Sequence, residues 1–139
     1  MAPMNVGRVV VGGLVSGLVA NILDFVITSY FLVTDIAEMA ARLNLSATTA
    51  ESAVWVFVGG DFVWGLLLVF TYAAIRPRFG PGPKTAAISG FILWLAIAIL
   101  TAQLTAMGLR TLSSYLKSAA LYLVSAILSS LAGAALYRE

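Results

Sequence analysis

The sequence contains no cysteine and no histidine, and these two absences remove several kinds of chemistry. Without cysteine there is no disulfide framework and no thiolate nucleophile. Without histidine the chain lacks the commonest general base, the commonest metal ligand and the usual axial ligand of haem. No motif for a nucleotide, a metal or a catalytic nucleophile is present. We therefore predict a protein that is not an enzyme and that holds no cofactor and no metal.

Charge is also scarce. Charged residues make up 10% of the 139 residues, whereas a soluble domain carries roughly 25%. Hydrophobic residues reach 61%, and the mean hydropathy is +1.01. The net charge of +2 is too small and too scattered to indicate nucleic acid as a partner. The composition predicts an integral membrane protein whose first partners are membrane lipids.

Four apolar segments are each long enough to cross a bilayer, which takes about 20 helical residues. They cover about residues 7–33, 53–75, 85–107 and 112–137. The first is too long for the h-region of a signal peptide, which spans ~7–15 residues, and no A-x-A cleavage site follows it. The fold prediction is all-α: one transmembrane domain over residues 1–139, built as a four-helix bundle.

The connection between the first two spans is the only polar one of any length. Asp35 and Glu38 predict a capping pair for a short helix over Ile36–Leu43 that lies flat on the membrane surface. Thr48 and Glu51 predict a second capping pair, at the start of span two.

A second connection, 76–84, reads RPRFGPGPK. Its three prolines and two glycines predict a stiff turn outside any helix. Its cations, Arg76, Arg78 and Lys84, are expected to meet lipid headgroups.

One face of span one combines small and polar residues. Gly13, Gly17, Asn21, Asp24 and Thr28 are spaced four, four, three and four apart, so they share a helical face. Lipid cannot satisfy an amide or a carboxylate, and we therefore expect this face to turn into the bundle.

Two carboxylates form the sharpest candidate site. Counted from the ends of their spans, Asp24 and Asp61 are expected at similar depth, ~12–14 Å into the membrane. Neighbouring carboxylates in a low dielectric cannot both carry a charge cheaply. Two interpretations stay open: a proton- or cation-binding pair, or two structural groups that are each protonated or bonded to Asn21, Thr28 or a serine of span four.

Other polar and small residues lie inside the spans. Gln103 lies near the far end of span three, and Lys117 either reaches inward to Asp61 or Asp24 or extends outward to the headgroups. Ser118, Ser125 and Ser129 share one face of span four. Together with Gly13 and Gly17, they predict close helix packing, within the chain or with a second copy.

The basic residues predict the orientation. With four spans both termini lie on one side, together with Arg8, Arg76, Arg78, Lys84 and Arg138. Arg42, Arg110 and Lys117 lie on the other side. Five cations against three predict that both termini are cytoplasmic.

The segment YAAIRPRFGPGPKTA (72–86), with the pattern GLVxGLVxN that ends at Asn21, resembles a group of small bacterial inner-membrane proteins with four predicted spans. The resemblance covers the first three spans and is most specific in the proline-glycine turn. It implies a multi-pass protein of the bacterial inner membrane, and it implies no catalytic or binding residues.

Two functions from different classes follow. The first is a non-enzymatic helical bundle that acts by packing, as a homo-oligomer or as an accessory subunit of a larger membrane complex. The second is a small proton- or cation-coupled transporter that uses Asp24 and Asp61. The small multidrug exporters resemble the chain in their four spans, an acidic residue in span one and a Trp in span three. They differ because they are shorter, use Glu and lack the long loop.

Overall fold

The computed structural model describes residues 4–137, apart from the side chains of 47–51. Its elements are α1 (Val6–Val26), a π-helical turn (Ile27–Phe31), α2 (Val33–Arg42), α3 (Ala47–Phe79), α4 (Pro83–Ala106) and α5 (Leu112–Ala134). The described part contains no β-strand. Four helices, α1 with its π-helical turn, α3, α4 and α5, are long and apolar enough to cross a membrane. The prediction of an all-α integral membrane four-helix bundle is confirmed.

The helices form a ring in which α1 packs between α3 and α5, and α4 packs against α5 and α3. The backbone N–H of Asn5 donates to the Tyr137 hydroxyl at 3.2 Å, so the start of α1 and the end of α5 meet at one end of the bundle. We call this end the terminal side. The opposite end carries α2 and the α4–α5 turn, and we call it the α2 side.

Glycine permits the closest helix contact, between α1 and α3. A Cβ on Gly65 would overlap the backbone of Gly13 and Gly17, and a Cβ on Gly17 would lie 2.7 Å from the Cα of Phe62. Gly13 in turn faces Leu66. These pairs define an antiparallel register: Gly13 faces Leu66, and Gly17, four residues later, faces Phe62, four residues earlier.

Serine hydroxyls bond from helix to helix elsewhere in the bundle. Ser16 Oγ donates to the Ser129 carbonyl at 2.8 Å, Ser89 Oγ to the Leu68 carbonyl at 2.7 Å, and Ser130 Oγ to the Ala86 carbonyl at 2.7 Å. All three donors are buried. Such bonds stabilise membrane helices by ~0.6 kcal/mol each on average. They link α1 to α5, α3 to α4, and α4 to α5.

The stiff turn is shorter than predicted. Helix α3 continues through Arg76 and Pro77 to Phe79, and the turn is confined to residues 80–82. Pro77 lies within three residues of the helix end, where the missing N–H interrupts one bond and the last turn still closes through Gly80 N–H to the Arg76 carbonyl at 2.8 Å. Gly80 and Gly82 have φ of 82° and 128°, which favour glycine and reverse the chain.

The predicted Asp35–Glu38 capping pair is wrong. Only Leu32 separates the π-helical turn from α2, so the helix begins at Val33 and neither acid caps it. Asp35 accepts a hydrogen bond from Lys117, and Glu38 accepts one from Arg42. The predicted capping pair of Thr48 and Glu51, and Arg138, lie outside the described residues and side chains.

Candidate intramembrane carboxylate site

Asp24 is held by a tyrosine of the neighbouring helix. The Tyr122 hydroxyl donates to Asp24 Oδ1 at 2.6 Å, and both side chains are half-buried between α1 and α5. This distance falls in the short range that is typical of hydroxyl donors to a charged carboxylate. Tyr122 lies on the small face predicted for α5, but the sequence did not indicate it as the partner of Asp24.

Asp61 has no such partner. Its side chain is half-buried on α3, and within residues 4–137, side chains of 47–51 aside, the structure gives its carboxylate no hydrogen bond or ion pair. It lies near enough to Asp24 for an electrostatic interaction between the two carboxyl groups. A buried polar group without a partner is unfavourable, and an ionised one far more so. The position of Asp61 therefore favours a bound proton or cation.

The two carboxylates are staggered along the membrane normal, not level as predicted. Gly17 faces Phe62, and Asn21 reaches Val58, so Asp61 lies opposite Leu18. Asp24 comes six positions after Leu18, which is ~9 Å along the helix axis at ~1.5 Å per residue. The predicted depths were counted from the ends of the two spans. The actual register is set by the glycines, at which α1 and α3 come into contact.

Asn21 and Thr28 do not bond to the carboxylates. Asn21 Nδ2 donates to the carbonyls of Gly17 at 3.0 Å and Val58 at 3.3 Å, and Thr28 Oγ1 donates to the Asp24 carbonyl at 2.7 Å. Each side chain therefore satisfies backbone instead. The Thr28 bond lies at the start of the π-helical turn, and threonine hydroxyls that bond back to the carbonyl four residues earlier often bend a helix.

A row of polar groups on α5 leads from the α2 side toward Asp24. Arg110 Nη2 donates to the Ser118 hydroxyl at 2.6 Å and to the Ser114 carbonyl at 2.9 Å. Arg110, Ser114, Ser118 and Tyr122 are four residues apart, so the row continues along one face to Tyr122. Arg110 and Ser114 were not among the predicted site residues. Their spacing of eight and four residues from Ser118 was the feature of the sequence that could have placed them on the same face.

Lys117 and Gln103 lie near the α2 side, away from the carboxylates. Lys117 Nζ donates to Asp35 Oδ2 at 2.9 Å, so it pairs with α2 and with neither Asp24 nor Asp61. Its side chain extends outward, as long cationic side chains do near a helix end. Gln103 is exposed three residues before the end of α4.

The residues predicted for packing lie inside the bundle. Gly13 and Gly17 face α3, so this small face is occupied within the chain. Ser118, Ser125 and Ser129 are buried on α5. The carbonyl of Ser129 accepts a hydrogen bond from Ser16, while its own hydroxyl is buried without one.

The three cations predicted at the headgroups differ. Arg78 and Lys84 are exposed on the terminal side. Arg76 turns inward, and its guanidinium lies 5.5 Å from the centre of the Tyr137 ring. Tyr72 packs edge-on against the same ring at 5.9 Å. The aromatic pair attracts the cation because the ring face is electronegative.

Comparison of the chain with protein-family models, with curated proteins and with solved structures found no match. Among the described residues, no three acidic side chains cluster as a metal site. The chemistry available at the carboxylate site is thus that of two acids and a phenol, which bind and release protons or hold one small cation.

Proposed function

We propose that this multi-pass membrane protein is a small proton-coupled transporter of the bacterial inner membrane, in which Asp61 binds the coupling proton and the charge of the nearby Asp24 modulates that binding. The single observation that carries the proposal is the half-buried Asp61 carboxylate without a hydrogen bond from the described side chains. An acid kept for structure alone is expected to have a hydrogen-bond partner, as Asp24 Oδ1 has in Tyr122. A transporter needs an acid that is free to exchange its proton.

The surroundings of the pair support access from one side. The polar row of Arg110, Ser114 and Ser118 runs from the α2 side to Tyr122, which bonds to Asp24. Toward the terminal side the bundle is closed by tightly packed side chains, both apolar ones and hydrogen-bonded serines. Leu68 and Val69 are both 0% exposed. We propose that this arrangement is the state that exchanges protons with the α2 side.

The test is infrared spectroscopy of the protein in lipid vesicles, titrated from pH 9 to pH 5. The parent protein is expected to show a protonated-carboxyl signal that grows on acidification. Asp61→Asn should lose it, and Asp24→Asn should change its midpoint because the neighbouring charge is gone. Both variants should fold, since an amide replaces an acid of the same shape.

Asp35→Asn is the matched control, because it makes the same chemical change outside the membrane-spanning helices. It should leave the intramembrane signal unaltered. A signal that survives in Asp61→Asn, or one that no pH between 9 and 5 changes, overturns the proposal. In vesicles with a membrane potential, proton uptake should follow the same ranking of variants.

The second candidate is a non-enzymatic bundle that acts by packing, as a homo-oligomer or as an accessory subunit. The observation that favours it is the open face on the α2-side half of α3. Apart from the adjacent backbone of α3 itself, no atom of the described residues lies within 4 Å of a Cβ placed on Gly59 or Gly60. Trp55, Val56 and Phe57 are 79%, 74% and 64% exposed. Disulfide-linked dimers of the Gly60→Cys variant would support self-association through this face. Ile92→Cys, at an exposed position on α4, is the control and should give no such dimers.

A further inference from the structure

A cavity lies on the terminal side of the bundle, away from the carboxylates. It has a volume of about 170 Å³ and lies where α3, α4 and α5 meet. Tyr72, Ala86 and Ala134 form its buried floor, and Pro83 and Ala135 form an exposed mouth. The exposed residues of the mouth lie at the beginning of α4 and directly after the end of α5.

The cavity lies beside a close contact between α4 and α5. Nearer the membrane centre the two helices touch: a Cβ on Gly90 would lie 2.8 Å from the Ala126 carbonyl, and Ser130 donates to the Ala86 carbonyl. At the cavity the lining residues at the end of α5 include Ala134 and Ala135, whose methyl side chains leave the space unfilled.

The walls of the cavity are apolar. The one side-chain hydroxyl in the lining, on Tyr72, accepts a hydrogen bond from the Gly82 N–H at 3.2 Å. Apolar cavities of this size exclude water and bind apolar groups. Membrane lipid chains are the apolar groups present at such a mouth.

The charge around the mouth has one sign. Lys84 follows Pro83 directly and is exposed, and Arg78 is exposed on the last turn of α3. Among the described residues, the terminal-side ends of the helices carry these cations with Arg8 and Arg76 and no acid. This excess of positive charge complements an anionic headgroup.

We propose that the cavity seats an acyl chain of an anionic phospholipid, whose phosphate is bound by Lys84 and Arg78. Lys84 follows Pro83 of the cavity mouth directly. Both residues lie at the beginning of a helix long enough to cross a membrane, where lipid headgroups are expected. The site is independent of the carboxylate pair and of the transport proposal.

The experiment is native mass spectrometry of the full chain after exchange into nanodiscs that contain equal amounts of phosphatidylglycerol and phosphatidylethanolamine. The parent is expected to retain one phosphatidylglycerol in preference to phosphatidylethanolamine. Lys84→Gln should lower this preference about fivefold, the effect of one surface cation. Ala135→Phe should remove the retained lipid, because the ring fills the mouth of the cavity.

Two matched controls accompany these variants. Ala74→Phe places the same ring on an exposed position of α3 that does not line the cavity, and Arg42→Gln removes an exposed cation from the α2 side. Both should retain lipid as the parent does. Thermal unfolding of each variant identifies any that fails to fold, and Leu131→Phe then replaces Ala135→Phe as a second way to fill the cavity.

The outcomes separate the parts of the proposal. If cavity filling leaves the retained lipid unchanged while Lys84→Gln reduces it, the lipid is held by surface charge alone and the chain site is overturned. Equal retention of the two lipids by the parent overturns the anionic preference. Loss in Ala135→Phe and in Lys84→Gln, with both controls intact, supports the site.

Discussion

At the scale of single residues, the glycines of α3 have opposite surroundings. Gly65 lies against the backbone of Gly13 and Gly17, whereas Gly60 has no atom within 4 Å of an added Cβ. The two residues lie on the same helix, five positions apart. Identical substitutions at these positions therefore separate the packing role of glycine from its helix propensity.

Gly65→Ala is expected to lower the free energy of unfolding in detergent by ~1–3 kcal/mol, because the new methyl group must push α1 away. Gly60→Ala should raise the stability by ~0.5–1 kcal/mol, since alanine loses less entropy than glycine in a helix interior. Thermal unfolding followed by circular dichroism measures both. Shifts of the same sign would mean that α1 and α3 do not meet at Gly65.

At the scale of elements, α2 is attached to the bundle mainly through one ion pair. Lys117 of α5 bonds to Asp35 of α2 at 2.9 Å, and none of the side chains of α2 is fully buried. Asp35, Glu38, Arg42 and Arg110 line one cleft between α2 and the start of α5. The hydrogen bond from Lys117 holds the pKa of Asp35 below its ordinary value of 3.8.

The lowered pKa of Asp35 gives the ion pair a defined pH dependence. A carboxyl group whose pKa is lower in the folded state contributes stability above its unfolded pKa and loses it as the pH falls through the folded pKa. The difference in melting temperature between the parent and Asp35→Asn should be constant from pH 8 to about 5, should shrink as the pH falls past 3.8, and should vanish only below the lowered pKa of the folded state. Salt should reduce it, because the pair is partly exposed.

Glu38→Gln is the control for this element. Glu38 pairs with Arg42 one turn away on the same helix, and both side chains are about half exposed, at 54% and 48%. Such pairs contribute little, so this variant should melt close to the parent at every pH. A difference for Asp35→Asn that does not shrink as the pH falls below 3.8 would show that the charge of Asp35 is not its cause.

At the scale of the whole molecule, the two ends differ in charge. The terminal side carries Arg8, Arg76, Arg78 and Lys84, while the α2 side combines Arg42, Arg110 and Lys117 with Asp35 and Glu38. The bonded pair of Asn5 and Tyr137 keeps both termini at the basic end. By the positive-inside rule, we expect that end to be cytoplasmic.

Single cysteines test this orientation without background, since the sequence has none of its own. A cysteine at Leu45, which is 48% exposed on the α2 side, should react with an impermeant thiol reagent in intact cells. One at Phe79, 58% exposed on the terminal side, should react only after the cells are opened. The reverse labelling pattern would show that the terminal side faces outward, and it would place the proposed lipid site in the outer leaflet.

The sequence by itself determined the spans, the helical class and the inward face of α1. Each of these depends on a local constraint: the number of residues that crosses the membrane, the need to satisfy backbone groups in lipid, and the spacing of residues along one helix. Gly13 and Gly17 were identifiable in this way, because the spacing of small residues along a single helix shows that they share a face.

Only the tertiary structure decided which polar groups meet. Tyr122 and Asp24 are 98 positions apart, Lys117 and Asp35 are 82 apart, and no local pattern pairs them. The stagger of Asp24 and Asp61 follows from the register that Gly65 sets against Gly17, where two backbones approach most closely. A shift of α3 by one turn would leave the sequence pattern of every helix intact and give each carboxylate different neighbours. Contact between helices, and not the periodicity within them, therefore determines the site.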